Sequence, residues 1–235
     1  MGKNLIQQRR GRGTNTYRAP SFRYEGEVKH YAQNTTGVIT DIIHCAGHSA
    51  PLLELKLLTG EQTLAIAPDG VKVGDEICLG TSTQVKPGNV MPLRDIPEGS
   101  LIHNIELRPG DGGKVVRASG TFGRVVAKVD QGVIIKLPSR KERTFHPECR
   151  AALGIVAGAG RPEKPLLKAG HAYHKMRARN KLYPHVCGIS MNAVDHPFGG
   201  KGSHTKGRPT QSARGAPPGR KVGKVAPRRT GRRKM

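Results

Sequence analysis

The sequence predicts a mainly β protein: an OB-fold barrel followed by an SH3-like barrel, with extended basic tails at both ends. Three observations predict it. Short runs of β-branched residues recur about every 8 to 12 residues through the middle of the chain, separated by glycine and proline turns. No stretch of this middle keeps a helical period for three turns. Acidic residues are almost confined to this middle region. The middle can therefore fold, whereas the positive charges of the two ends repel one another.

The charge of the 235 residues is segregated along the chain. Residues 24–150 carry 15 basic and 15 acidic side chains, residues 1–23 carry six basic and none acidic, and residues 201–235 carry twelve basic and none acidic. A net charge of +23 makes nucleic acid the leading partner, because phosphate neutralisation releases counterions. We expect the middle to fold unaided and the tails to be disordered without a partner.

The first set of strands lies in the predicted OB-fold domain, residues 24–85. The alternation of apolar residues predicts strands at 38–43, 52–58, 62–67 and 73–79, with turns at 59–61 and 68–70. Residues 86–97 follow, with Pro87, Pro92 and Pro97 beside Gly88. That composition disfavours a central strand or a helix, so this segment is predicted to be a linker between domains.

The second set of strands lies in the predicted SH3-like barrel, residues 98–160. Strands are expected at 100–107, 123–129, 132–137, 142–145 and 153–156, with a hairpin turn at 130–132. A glycine-rich loop, residues 108–114, separates the first two strands and is followed by Arg117. Its exposed amides and the flanking cations could meet phosphate, although such loops are also common as plain surface turns.

The ends are predicted to be a basic arm, residues 1–23, and a basic extension, residues 161–235. Tyr17, Phe22 and Tyr24 stand among arginines in and beside the arm, where aromatic rings and guanidinium planes could stack on unpaired bases; a frayed terminus is the alternative. One helix is predicted within residues 166–182 of the extension. The start of the chain has no apolar run, so no secretory signal is expected.

The most distinctive segment is residues 191–200, which is nearly neutral between strongly basic stretches. Pro197 fixes its own φ, and Gly199 and Gly200 allow backbone conformations that other residues avoid, so we expect a shaped loop. Asp195 is expected to orient His196, and the loop is expected to place its backbone and this imidazole against an anionic partner.

Two rival functions come from other classes. An enzyme would need a nucleophile or metal constellation, and the nearest candidate is a possible zinc site at His44, Cys45 and His48, with a polar surface turn as the alternative. A nucleic-acid chaperone without a fixed site would share the charge but would not need the shaped loop. No metal or cofactor is predicted, no membrane segment is expected, and four widely spaced cysteines indicate reduced thiols in the cytosol.

Several separated motifs, in order, carry a resemblance over nearly the whole chain. They are residues 191–200, Lys86-Pro87-Gly88-Asn89 with Pro92-Leu93-Arg94-Asp95-Ile96-Pro97, His103-Asn104-Ile105-Glu106, the glycine-rich loop, and Cys149-Arg150-Ala151-Ala152-Leu153-Gly154. The chain resembles the universal large-subunit ribosomal protein two family in its archaeal form. The family often has a second histidine after the Asp-His-Pro motif, where this chain has Phe198.

The resemblance implies a non-enzymatic protein of the cytoplasmic ribosome. It implies binding of large-subunit ribosomal RNA near the peptidyl transferase region, contact with neighbouring ribosomal proteins, and indirect support of subunit association and transfer RNA binding. His196 matches a histidine discussed for peptide-bond formation, and we interpret it as a positioning residue. The predicted RNA-binding residues are Arg9, Arg10, Arg12, Arg18, Arg23, Lys114, Arg117, Lys175, Arg177, Arg179, Asn192, Asp195, His196, Lys201, Lys206, Arg208, Arg214, Arg220, Lys221, Arg228 and Arg229.

Overall fold

The computed structural model describes residues 2–80 and 84–227, and the chain divides into two compact units. The first unit is Ser21–Leu166 and contains the main sheet. The second unit combines Met1–Pro20 with Leu167–Met235. Among the predicted RNA-binding residues, Arg228 and Arg229 lie outside the described residues.

Ser21–Leu166 is built on a mainly antiparallel sheet of ten strands in the order β3-β2-β1-β4-β5-β10-β6-β7-β8-β9. The strands are β1 Thr35–Ile43, β2 Leu52–Leu57, β3 Gln62–Ile66, β4 Glu76–Leu79, β5 Val90–Pro92, β6 Leu101–His103, β7 Gly123–Val129, β8 Gly132–Lys136, β9 Glu142–Phe145 and β10 Arg150–Leu153. The pairing of β4 with β5 is parallel and the other pairings in this sheet are antiparallel. This β-rich unit is consistent with an OB-fold followed by an SH3-like barrel.

Each half of the sheet has its own apolar core. Ile39, Leu53 and Leu55 belong to the core of the first half, where alternate residues of β1 and β2 turn inward. Ile102 and Ile135 belong to the core of the second half. The two predicted hairpins are confirmed: β2 pairs with β3, and β7 pairs with β8. In addition, β8 pairs with β9.

The segment predicted to be a linker contributes a strand and core residues. β5 lies centrally between β4 and β10, and Leu93 and Ile96 are fully buried in the second core. Pro92 is tolerated because it ends the strand, and the next amide, that of Leu93, donates to the Cys149 carbonyl at 2.8 Å. The expectation that proline and glycine exclude a strand here was wrong.

Three strands are shorter than predicted or displaced by three residues or more, each because of a local turn. β4 begins after a turn at Gly74, which has φ +91°, where the Asp75 carboxylate accepts the Lys72 amide at 3.0 Å. β6 ends before Asn104, which has φ +48°. β10 ends before Gly154, whose φ of +100° favours glycine.

The second unit holds the two helices, α1 Ile6–Gly11 and α2 Ala169–Arg177, and a small parallel pair, β11 Gln211–Ser212 with β12 Lys224–Val225. The unit has an apolar cluster of three buried residues, Leu5, Phe198 and Val222. The Ser212 hydroxyl is buried beside it and donates to the Val222 carbonyl at 2.6 Å. The structure thus brings residues 2–20 and residues 167–227 together in one unit.

The arm is less extended than predicted, while the helix of the extension agrees with the prediction. Isoleucine, glutamine and arginine at the start of α1 all tolerate a helix, and the Leu5 amide donates to the Gln8 side chain at 2.7 Å. Short 3₁₀ turns follow at Asn15–Tyr17 and Ser21–Arg23. In α2, Gly170 lies in the first turn and therefore does not interrupt the helix. Within the described residues, no helix is long and apolar enough to cross a membrane.

Candidate nucleic-acid interface

Residues 191–200 form a loop that closes on itself through backbone hydrogen bonds. The amides of Asp195 and His196 both donate to the Asn192 carbonyl, at 3.0 and 3.2 Å. The Gly200 amide donates to the Met191 carbonyl at 2.9 Å and brings the two ends of the loop together. Gly200 has φ +89°, a conformation that favours glycine, so the glycine at this position is required by the closure.

The His196 ring is fixed by its own loop. Its Nδ1 accepts the Phe198 amide at 3.0 Å, and the two rings lie 5.4 Å apart. A Cβ built on Gly188 would lie 2.3 to 2.5 Å from the imidazole, so the ring packs directly on that glycine. Partial burial lowers the pKa of His196 below its usual value. Because Nδ1 accepts a hydrogen bond from an amide, the ring in this arrangement is the neutral tautomer with its proton on Nε2.

Asp195 has a different partner from the one predicted. Its carboxylate lies 3.7 Å from the Lys3 ammonium, and the Lys3 amide donates to the Val194 carbonyl at 2.8 Å. The prediction that Asp195 orients His196 was wrong, because the Phe198 amide does so. Asp195 instead helps to hold the first residues of the chain against the loop.

Two cavities border this loop inside the second unit. One, of about 540 Å³, is lined by the cations Lys3, Lys201, Lys206 and Arg208. The other, of about 400 Å³, is lined by apolar residues that include Ile6, Leu182 and Val186 and by polar residues that include Arg9 and Asn192. Leu5, Asp195 and His196 line both. The structure therefore brings together predicted RNA-binding residues that lie far apart in the sequence.

Most of the predicted RNA-binding side chains are on the surface. The exposed ones are Arg9, Arg10, Arg12, Arg18, Arg23, Lys114, Lys175, Arg177, Asn192, Lys201, Arg208, Arg214 and Lys221. The half-buried ones are Arg117, Arg179, Asp195, His196, Lys206 and Arg220. Arg220 donates to the Ser212 hydroxyl at 3.4 Å and to the Pro209 carbonyl at 3.2 Å, so it also ties the C-terminal segment together.

The glycine-rich loop of the first unit uses its amides internally. The fully buried Glu106 carboxylate accepts the amides of Gly110 and Gly112 at 3.2 and 3.0 Å, and the Asp111 carboxylate accepts that of Gly113 at 3.0 Å. The prediction that these amides are free for phosphate was wrong, because the loop supplies its own anions. The loop still presents two exposed cations, Arg108 and Lys114.

Arg117 and Tyr24 also have structural partners. The Arg117 guanidinium donates to the carbonyls of Gly113 and Val28, both at 3.0 Å. Tyr24 packs against a core cluster and against Gly47, where an added Cβ would lie 2.5 Å from the ring. Tyr24 is thus held in the core, whereas Phe22 is 81% exposed, with the Arg23 guanidinium 5.2 Å from its ring centre.

The zinc candidate has only a local contact. His48 Nδ1 lies 3.2 Å from the Cys45 sulfur, and Cys45 is buried. Within residues 2–80 and 84–227, no three histidine, cysteine or acidic side chains are placed to hold a metal ion.

Sequence reasoning missed several residues that build the interface. Lys3 was not selected, although it pairs with Asp195 and lines the cationic cavity. Leu5 and Val222 were also missed, although they enclose Phe198. The sequence did offer a signal for Leu5 and Val222, since each is an apolar residue in a polar, basic tail. Phe198, noted as a departure from the usual histidine, is 8% exposed and serves as a packing anchor.

Comparison with known proteins decides the family. Residues 86–215 match the family described as "Ribosomal Proteins L2, C-terminal domain". The chain is 49% identical over 236 residues to "Large ribosomal subunit protein uL2" of Natronomonas pharaonis, an alignment covering 99% of this chain and 97% of that protein. It is also 49% identical over 241 residues to the protein of the same name from Methanothermobacter thermautotrophicus, with both chains fully covered.

The chain belongs to the uL2 family. Both relatives are archaeal, which confirms the resemblance to the archaeal form. Both relatives are named as proteins of the large ribosomal subunit and neither is named as an enzyme, in agreement with what the resemblance implied.

Proposed function

We propose that this chain binds large-subunit ribosomal RNA near the peptidyl transferase region. As a uL2 protein, it is a structural constituent of the large ribosomal subunit. In that position it supports subunit association and transfer RNA binding indirectly, beside neighbouring ribosomal proteins. The proposal rests on one observation: cations from separate stretches of the chain surround the closed loop of residues 191–200. We also propose that residues 1–23 and 161–235 supply most of the RNA contacts, with the barrels at 24–85 and 98–160 joined by residues 86–97.

The charge of the second unit supports RNA as the partner. Lys3, Lys201, Lys206 and Arg208 line one cavity, and the one carboxylate among its lining residues, that of Asp195, is already paired with Lys3. A polyanion neutralises such an excess of positive charge and releases its own counterions, so binding weakens steeply with salt. An isolated loop with the same composition would lack these converging cations.

The hydrogen bond at His196 favours positioning over catalysis. A general base needs an unprotonated nitrogen within reach of the reacting proton. In the neutral ring that nitrogen is Nδ1, which already accepts the Phe198 amide. The remaining Nε2–H is a donor suited to a phosphate or base acceptor of RNA. His196 therefore acts as a hydrogen-bond donor at a fixed place.

The test replaces His196 with alanine and uses His204→Ala as the matched control, because His204 is an exposed histidine of the same extension. Two quantities are measured: incorporation of the protein into large subunits, and the single-turnover rate of peptide-bond formation in complete particles. We expect His196→Ala to lower incorporation or subunit joining while the rate in complete particles is retained. Normal incorporation with a rate lowered about 10²- to 10⁴-fold would instead indicate a lost general acid or base.

A further inference from the structure

Lys206 is the least expected feature of the cationic cavity. Its Nζ is buried, and among residues 2–80 and 84–227 it has no hydrogen-bond partner. A buried ammonium without a counter-charge is unfavourable, since it loses hydration and gains nothing in return. The backbone also holds Lys206 in the left-handed region, with φ +55°. The buried ammonium is therefore unfavourable in the absence of an anion, and an anion bound beside it would stabilise it.

The surrounding backbone is shaped to admit this ammonium. Gly202 has φ +103°, and a Cβ added there would lie 3.2 Å from the Lys206 Nζ. Lys201 and Arg208 line the same cavity from either side of Lys206 in the sequence. The lysine stem has several rotatable bonds, so the ammonium can swing to meet an anion that enters the cavity.

The adjoining cavity has a different character. Ile6, Leu182, Pro184 and Val186 give it apolar walls, and Asn192 adds an amide that can both donate and accept. Gln7, Arg9 and Ser190 add further polar groups to the lining. Apolar walls combined with hydrogen-bonding groups suit a nucleobase, which packs through its faces and forms hydrogen bonds at its edges. His196 lines both cavities, so an occupant of one lies next to an occupant of the other.

We propose that the two cavities together hold a single unpaired nucleotide of RNA, with its phosphate in the cationic cavity beside Lys206 and its base in the apolar cavity. This proposal rests on the proposed function, because the nucleotide comes from the bound RNA. It goes further by naming a nucleotide-sized site with separate places for phosphate and base. The His196 Nε2–H lies on the ring that borders both compartments and can donate to either part of the nucleotide.

The test uses the full-length protein and amide and methyl chemical shifts measured by NMR. Three probes are titrated: a nucleoside monophosphate, the corresponding nucleoside, and inorganic phosphate. We expect the monophosphate to shift signals of both cavities, phosphate alone to shift those near Lys206, and the nucleoside to shift those near Val186. Lys206→Met should weaken binding of monophosphate and phosphate at least tenfold and leave the response to the nucleoside unchanged.

The matched control is Lys224→Met, which removes an exposed lysine of the same unit. If both substitutions weakened phosphate binding equally, the loss would be explained by the general positive charge of the surface, and the proposal would be overturned. Val186→Trp, placed to fill the apolar cavity, is the second variant and should abolish the nucleoside response while phosphate still binds. A monophosphate that shifts only the phosphate side overturns the assignment of the base compartment.

Binding of a large-subunit ribosomal RNA fragment is measured in parallel with the wild-type protein. If the wild type binds the fragment but no probe shifts either cavity, the nucleotide site is wrong and the proposed function stands. If the wild type does not bind the fragment, the proposed function itself fails.

Discussion

The buried Glu106 carboxylate organises the junction between the glycine-rich loop and β10. It accepts the amides of Gly110 and Gly112 and that of Arg150, the last at 2.8 Å, and it lies 3.3 Å from the Arg150 guanidinium. Glu106 is fully buried and the Arg150 side chain is 15% exposed. Replacement by glutamine keeps the shape but turns one acceptor into a donor that faces other donors.

The expected loss follows from these contacts. An unsatisfied buried donor costs about 1 to 3 kcal/mol, and removal of one partner from a buried ion pair costs about 3 to 5 kcal/mol. We therefore expect Glu106→Gln to lower the free energy of unfolding by about 3 to 5 kcal/mol. For a unit the size of Ser21–Leu166 this corresponds to a fall in Tm of roughly 10 to 15 °C.

The measurement is thermal unfolding of the full-length protein followed by circular dichroism and calorimetry. Glu163→Gln is the control, since Glu163 is exposed and the substitution removes the same charge. We expect the control to change Tm by at most about 2 °C, in line with most surface substitutions. A fall of under about 3 °C for Glu106→Gln would refute the reasoning, because the carboxylate would then be replaceable by any polar group of its shape.

Two further predictions concern other buried groups. Burial lowers the pKa of both His30 and His103 to about 4, so the unfolded chain binds protons below its own pKa of about 6.5 and the folded chain does not. Stability should fall as the pH drops from about 6.5 towards 4, by about 2 kcal/mol for each histidine at pH 5. Urea unfolding at pH 7 and pH 5 checks this, and His103→Gln should make the fall smaller; an equal fall in the variant contradicts the assignment. Phe198→Ala should destabilise the cluster around Val222 by about 1.5 to 3 kcal/mol, the contribution of one buried phenylalanine side chain, measured as faster amide exchange in the second unit. Phe22→Ala should leave that exchange unchanged, because Phe22 is exposed.

The strands that could be predicted are those whose information is local. β7 and β9 have the predicted bounds. For β7, the alternating residues and the two-residue turn that leads to β8 specify a hairpin within one short stretch. β5 could not be found in this way. Its neighbours in the sheet are β4 and β10, and Leu93 and Ile96 are buried by residues from elsewhere in the chain. Proline and glycine counts describe the local chain and say nothing about such burial.

The candidate interface could be predicted in its residue types but not in its contacts. His196 and the cations around it were found because charge and an unusual loop are visible in the sequence. The partner of Asp195 was not, because Lys3 is at the other end of the chain. The amides of the glycine-rich loop were assigned to phosphate, since the sequence does not show that Glu106 turns back towards them.

The second unit is formed by residues from both ends of the sequence, and this arrangement has a consequence for synthesis of the protein. The Asn180 side chain donates to the carbonyl of Thr16, 164 residues earlier, and Phe198 packs between Leu5 and Val222. At about 5 to 20 residues per second, Thr16 is made roughly 10 to 30 s before its partner Asn180, which follows α2 in the sequence. During that interval the arm is a nascent cationic peptide without its intramolecular partner. It is then open to capture by a chaperone or by unfinished ribosomal RNA, and completion of the second unit has to displace or incorporate whatever the arm has met.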